Sequence, residues 1–198
     1  MQQDGYTLLD PQKLAALVTY LVHDLETVPD MPVWPEGFAL EPINGAALER
    51  YRALFAAIGA EWLWFSRLRM PDLALWEILM SPAVEAYALV RDGKDVGLLE
   101  LDFRDEEAPE LAFFGVVPEA LGQGIGKRLM GMALARARAA GMIRLHVHTC
   151  SLDHPRALDF YCRAGFRAIR RAIEVFDDPR LDGTLPRNAA PWLPLLEP

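Results

Sequence analysis

Residues 116–129 read Val116-Val117-Pro118-Glu119-Ala120-Leu121-Gly122-Gln123-Gly124-Ile125-Gly126-Lys127-Arg128-Leu129, three alternating glycines directly ahead of a helical pattern. Glycine weakens a helix start entropically, so the cluster implies a compensating use. It lets the backbone approach a ligand closely and turns several N–H groups toward one point. A helix N-terminus carries about +0.5 charge and unsatisfied donors, which together make an anion site. Lys127 and Arg128 occupy the first turn, where Asp or Glu is favoured, and these cations suit an arriving anion. Two familiar phosphate loops are excluded by spacing. A dinucleotide fingerprint requires glycine where Lys127 stands, and a P-loop requires Gly and Ser/Thr where Leu121 and Arg128 stand.

Working outward, the hydrophobic period sets the elements. Val84–Val90, Gly97–Phe103 and Glu110–Val116 read as strands, the first two joined by the turn Arg91-Asp92-Gly93-Lys94. A helix over 124–140 stops at Gly141, followed by a strand over 143–149, a helix over 154–164 and a strand over 166–176. Upstream, Phe38-Ala39-Leu40 reads as a short strand, Asn44 caps a helix reaching Ile58, and Pro71 opens another ending near Met80. A meander followed by β-α-β-α-β predicts an α/β protein, with a mixed, mostly antiparallel central sheet flanked by helices. Residues 1–36 read as an extension or lid, 37–176 as the main domain, and 177–198, with five prolines, as a surface-wrapping tail. Within the extension, Asp10-Pro11 can open a helix, while Leu17–Val22 has strand composition; the pattern leaves both open.

The chain has 198 residues, 52% hydrophobic and 24% charged, enough apolar material for a sizeable core. Twenty Lys+Arg against 28 Asp+Glu give a net charge of −8, which argues against nucleic acid or an anionic membrane and favours a cationic substrate. No stretch approaches the roughly 18 apolar residues of a membrane span, and the start MQQDGYTLLDPQK lacks a signal pattern. With only Cys150 and Cys162, both expected as free thiols, the expected location is the cytoplasm.

At this point the chain resembles the GCN5-related N-acetyltransferase (GNAT) superfamily. The family's acetyl-CoA signature is Gln/Arg-x-x-Gly-x-Gly/Ala after a strand ending in Val-x-Pro. Here Val116-Val117-Pro118 precedes Leu121-Gly122-Gln123-Gly124-Ile125-Gly126, with Leu121 departing from the first position. The second marker, Asn-x-x-Ala-x-x-x-Tyr-x-x-x-Gly-Phe, corresponds to His154, Ala157, Tyr161, Gly165 and Phe166, with His154 departing from Asn. The resemblance implies a GNAT fold and acetyl transfer from acetyl-CoA to a primary amine of a small molecule or peptide, by direct attack in a ternary complex. It puts the CoA pyrophosphate on the N–H groups of Gly122, Gln123, Gly124, Ile125, Gly126 and Lys127, and the pantetheine beside Phe114, Gly115 and Val116. Gly115 would permit a bulge that exposes an N–H to the thioester carbonyl. Tyr161 becomes the general acid for the departing thiolate; by helical spacing alone it would read as core.

The general base is open among Glu100, Asp102 and Glu110. Glu100 is the first choice because it sits in the apolar run Gly97-Leu98-Leu99-Glu100-Leu101, where burial would raise its pKa. His146, His148 and Cys150 alternate along one strand face, which could suggest a metal, but zinc usually takes three or four ligands, often with close paired spacings, and a strand edge facing solvent or a helix is the reading, so no metal is expected. His154 caps its helix with Asp153 or touches CoA, and Cys162 reads as a packed small hydrophobe. Trp62, Trp64, Phe65 and Trp76 lie where this fold walls the acceptor pocket, and either cage a cation or pack the core. A non-catalytic acyl-CoA sensor and a protein-interaction module are the alternative functions, and a homodimer is left open.

Overall fold

Alternating apolar residues build most of this molecule as strands, and the order in which they pair positions everything else. The computed structural model describes residues 4–28 and 30–197; residues 1–3, the linker proline Pro29 and the last tail proline Pro198 lie outside them. Seven strands form one sheet: β1 (Lys13–Asp24), β2 (Phe38–Ile43), β3 (Val84–Arg91), β4 (Lys94–Asp102), β5 (Glu110–Val116), β6 (Arg144–Cys150) and β7 (Arg167–Asp177). Their spatial order is β2-β3-β4-β5-β6-β1-β7. Every neighbouring pair is antiparallel except β5 and β6. The α/β class and mostly antiparallel sheet read from the sequence are present.

The placement of β1 differs from an appendage. It runs through the sheet interior, pairing with β6 from Val18↔Cys150 to Asp24↔Arg144 and with β7 from Lys13↔Asp177 to Val22↔Arg167. Asp10-Pro11 opens no helix. The Lys13 N–H bonds the Asp10 carbonyl at 2.9 Å and the Gln12 N–H bonds Asp10 Oδ1 at 2.9 Å, a turn that delivers the chain into the strand. The β-branched and aromatic run Leu17–Val22 suits a pleated surface, and ladders on both edges satisfy its backbone.

Helices cover both faces. α1 (Leu48–Gly59), α2 (Ser66–Arg69) and α3 (Asp72–Met80) lie on one side, and α4 (Ile125–Ala139) and α5 (Ala157–Arg163) on the other. Alternation on β3 divides the two cores: Ala86, Ala88 and Val90 join Tyr51, Phe55 and Leu75, while Leu89 joins Leu129, Ala133 and Leu145. The tail forms turns rather than regular elements. It buries Leu185 and Ala190 against Leu63 and Leu152, and is organised around buried Arg180, which pairs with Asp178 at 2.6 Å and donates to the Leu193 carbonyl at 2.8 Å. Among the described residues no helix is long and apolar enough to cross a membrane.

Strands β5 and β6 make the feature that matters for function. They share a single pairing, Glu110↔His146, and the His146 N–H bonds the Pro109 carbonyl at 2.8 Å. Beyond that point they diverge, leaving the outer backbone edge of β5 open along 111–116. The bulge expected at Gly115 lies at Ala112 instead, because Glu100 pairs with Phe113 while Leu101 pairs with Leu111. Gly115 serves a different purpose: a Cβ there would come within 2.4 Å of Ile58 Cγ2, so glycine lets α1 approach the sheet.

Candidate active site

The splay between β5 and β6 opens into a cavity of about 610 Å³, within the range of small-molecule sites. Its walls include Phe114, Gly115, Val116, Leu121, His154 and Tyr161, gathering residues that the sequence singled out from four separate segments. An open β-edge of this kind can pair with an extended, amide-bearing ligand as an added strand does.

The glycine turn continues from Leu121. Gly122 and Gly124 have φ of 75° and 74°, the left-handed region where a side chain is strained, and a Cβ at either would meet nothing within 4 Å. The N–H groups of Gly122, Gln123, Gly124, Ile125, Gly126 and Lys127 make no hydrogen bond among the described residues; Leu121 bonds Pro118 and Arg128 bonds Gly124 on either side. A fifteen-residue helix therefore presents its positive end to an uncrowded backbone cradle. Ile125 is buried and anchors the helix, Lys127 is exposed, and the Gln123 side chain is held by Arg91 at 2.9 Å and the Glu119 carbonyl at 2.8 Å. The residues fit a pyrophosphate by donor geometry and charge.

Tyr161 reaches the cavity from α5 and packs among the rings of Phe114, Phe160 and Phe166. Burial, reinforced by Asp153, pushes its phenol well above the usual tyrosine value, so it stays protonated. His154 Nδ1 accepts the Arg156 N–H at 3.1 Å, and its ring meets Trp62 edge-on at 5.0 Å. The histidine thus caps locally and also lines the cavity.

The candidate bases separate. Glu100 is fully buried beneath α1 and does not line the cavity. One oxygen takes Arg67 Nη2 at 2.5 Å and the other accepts the Tyr51 hydroxyl. Burial and the Glu100 charge push the Tyr51 phenol up. Glu100, the first-choice base, is thus enclosed between Tyr51 of α1 and Arg67 of α2, outside the cavity lining. Asp102 is held by Arg104, whose Nη2 lies at 2.5 Å, and burial opposed by those Arg104 hydrogen bonds leaves its carboxyl below the usual range. Glu110 lies behind the cavity wall, with Oε1 2.7 Å from Nδ1 of His148, which does line it.

Several contributors were not singled out from the sequence. Asp153 accepts Trp64 Nε1 at 3.0 Å on one oxygen, and Thr149 Oγ1 at 2.7 Å and the Cys150 N–H at 2.8 Å on the other. Glu61 and Glu174 add two further carboxylates to the lining, and no Lys or Arg is among the described lining residues. Trp62, Trp64 and Phe65 reach this wall, whereas Trp76 packs over Gly45, away from it. His146 departs from His148, lining a second hollow with Asp102, Arg104 and Arg170. Burial pushes the Cys150 thiol up to about 11, and Cys162 is exposed outside the cavity lining. Only proximity in the fold unites Asp153, Glu61 and Glu174, and no spacing rule signals it.

Comparison with known proteins gives a consistent picture. Residues 51–166 match the model of a family described as the Acetyltransferase (GNAT) family. A mycothiol acetyltransferase of Actinosynnema mirum is 28% identical over 148 residues, covering 72% of this chain and 49% of that protein. The chain thus spans about half the length of that curated relative. Among solved structures, a GCN5-related N-acetyltransferase from Sphaerobacter thermophilus aligns with a TM-score of 0.62 at 18% identity, over 82% of this chain and 52% of that one. An aminoglycoside acetyltransferase from an uncultured soil metagenome, in complex with sisomicin, aligns with a TM-score of 0.53 at 20% identity, over 65% and 87% respectively. At these identities the structural matches speak to the fold.

Proposed function

The chain belongs to the acetyltransferase (GNAT) family, and from that premise we propose that it transfers acetyl from acetyl-CoA to the primary amine of a small, cationic molecule. The observation that carries this reading is one continuous arrangement. Free N–H groups at the start of α4 lead along the open edge of β5 to a buried, protonated Tyr161.

Bound acetyl-CoA supplies an acyl thioester, and the chain's residues do the rest. The N–H groups of 122–127 hold the diphosphate. The open edge of β5 aligns the pantetheine amides, fixing the thioester near Tyr161. The Tyr161 hydroxyl holds a proton for the leaving sulfur; burial keeps the phenol protonated, and because a phenol is a weaker acid than a thiol the transfer relies on its position beside the cavity and on desolvation of the departing thiolate. Direct attack by the amine is favoured over an acyl-enzyme because the Cys150 thiol, at about 11, is scarcely ionised at neutral pH. For the acceptor, Glu61, Asp153 and Glu174 beside Trp62, Trp64 and Phe65 suit a compact organic cation. Two free thiols suit a reducing cytoplasm.

The test is turnover. The purified full chain with acetyl-CoA is offered benzylamine, putrescine, spermidine, sisomicin and a short lysine-containing peptide, following thiol release and product mass. Acetylation of a polycationic member in preference to benzylamine is expected. Acetyl-CoA binding with no product from any amine would instead support an acyl-CoA sensor.

A further inference from the structure

Acetyl transfer to an amine needs a proton acceptor as well as a donor, because an aliphatic ammonium has no lone pair at neutral pH. With Glu100 sealed by Arg67 and Tyr51, and both Asp153 oxygens engaged, two imidazoles line the cavity: His154 Nδ1 accepts the Arg156 N–H, which leaves its neutral ring protonated at Nε2, whereas His148 Nδ1 meets the Glu110 carboxylate and its Nε2 has no protein partner among the described hydrogen bonds. We infer that His148, oriented by Glu110 at 2.7 Å, is the general base that takes the acceptor's proton at Nε2. This inference rests on the acetyl-transfer reading.

The geometry divides the labour between the pair. Glu110 stands outside the cavity lining and touches Nδ1, so it is a positioning residue. Accepting the Nδ1–H fixes the tautomer in which Nε2 carries the lone pair. The groups facing His148 come from four places: Glu110 on β5, Asp153 after β6, Glu174 on β7, and the Tyr20 ring on β1 at 5.8 Å, itself stacked under Arg170. The Glu110 hydrogen bond outweighs burial and, with the other carboxylates, raises the imidazole above its ordinary value, bringing it closer to an amine. Glu61 and Glu174 also line the cavity, but a carboxylate is as a class a weaker base than an imidazole toward an ammonium.

The step balances. The acceptor R–NH3+ gives one proton to Nε2, leaving His148 as imidazolium and freeing the nitrogen lone pair. The nitrogen forms a bond to the thioester carbonyl carbon as the carbon–sulfur bond breaks. The sulfur takes the Tyr161 proton, the phenolate recovers the proton that the new amide nitrogen sheds, and His148 returns its own to solvent. Ammonium and thioester thus become amide, thiol and one released proton.

The experiment measures kcat against pH for the fastest amine of the panel, in the wild-type chain and in His148→Gln and Glu110→Gln. It also follows the His148 ring by NMR across the same pH range. In the wild type, activity rises as the imidazole loses its proton, and the ring titrates above 6.5. His148→Gln should lower kcat about 100-fold or more while leaving the acetyl-CoA Kd within about twofold. Glu110→Gln removes the charge that favours imidazolium, so both the ring pKa and the acid limb of the profile should move to lower pH by about one unit. A purely structural Glu110 would lower the plateau without moving the limb. His148→Gln turning over at the wild-type rate, or Glu110→Gln with an unmoved limb and ring pKa, overturns the proposal and leaves acetyl transfer intact. A wild-type chain that acetylates none of the amines overturns acetyl transfer itself, and the base with it. Should His148→Gln fail to fold, the Glu110→Gln limb and the ring titration decide.

Discussion

Glu100 and Glu110 stand on neighbouring strands in similar apolar company, and the fold gives them opposite lives. Glu100 lies under α1 with Arg67 and Tyr51 on its two oxygens, and Arg67 is in turn stacked 4.9 Å over Phe113. Glu110 sits where β5 and β6 begin to part, about a third exposed, holding an imidazole that lines the cavity. The first arrangement is closed: both carboxylate oxygens are engaged inside the protein, and it can only stabilise or destabilise the fold. The second is incomplete, with one ring nitrogen lacking a protein partner among the described hydrogen bonds. A carboxylate's neighbourhood, rather than its residue type, decides whether it is structural or chemical.

Breaking the pair on the folding side should have the largest effect. Glu100→Ala leaves Arg67 as an uncompensated buried cation and should cost about 3–5 kcal/mol, whereas Glu110→Ala, losing a half-exposed contact, should cost no more than about 1 kcal/mol. Urea denaturation midpoints at constant m-value check both. Equal losses would erase the distinction.

On the chemical side, Tyr161→Phe should lower kcat about 100-fold, near 2.7 kcal/mol of barrier, with acetyl-CoA affinity by calorimetry and the urea midpoint close to wild type. A variant that instead loses stability in proportion to activity would move Tyr161 into the structural group. The smallest effect is expected at the rim. Lys127→Glu reverses an exposed charge at the start of α4, so acetyl-CoA should bind about tenfold more weakly with the melting temperature nearly unchanged. Salt should narrow the difference. Unchanged affinity would count against seating the diphosphate on 122–127.

The sequence was legible where structure is local. Alternation marked β3, β4 and β5 to within three residues. The glycine turn marked the start of α4, and helical spacing put Tyr161 on the element after β6. It was silent where neighbours are distant. The period of Leu17–Val22 says that two faces alternate, but not that β6 and β7 would flank the strand. The run around Glu100 announced its burial but not its partners, because Arg67 and Tyr51 lie far away in the chain. Glu110 was one of three candidate bases and His148 one of three residues alternating on a strand face, and nothing in their spacing paired them; the single β5–β6 pairing brings them to 2.7 Å.

By itself, then, the amino-acid order determined the class of fold, the succession of elements and the backbone cradle of 122–127, since turn, helix and strand preferences arise from atoms a few bonds apart. Only the tertiary structure decided where β1 entered the sheet, which acid was sealed and which was left to hold an imidazole. Burial and electrostatics depend on residues that chain distance does not relate, and those quantities turn a carboxylate into either a strut or a tool.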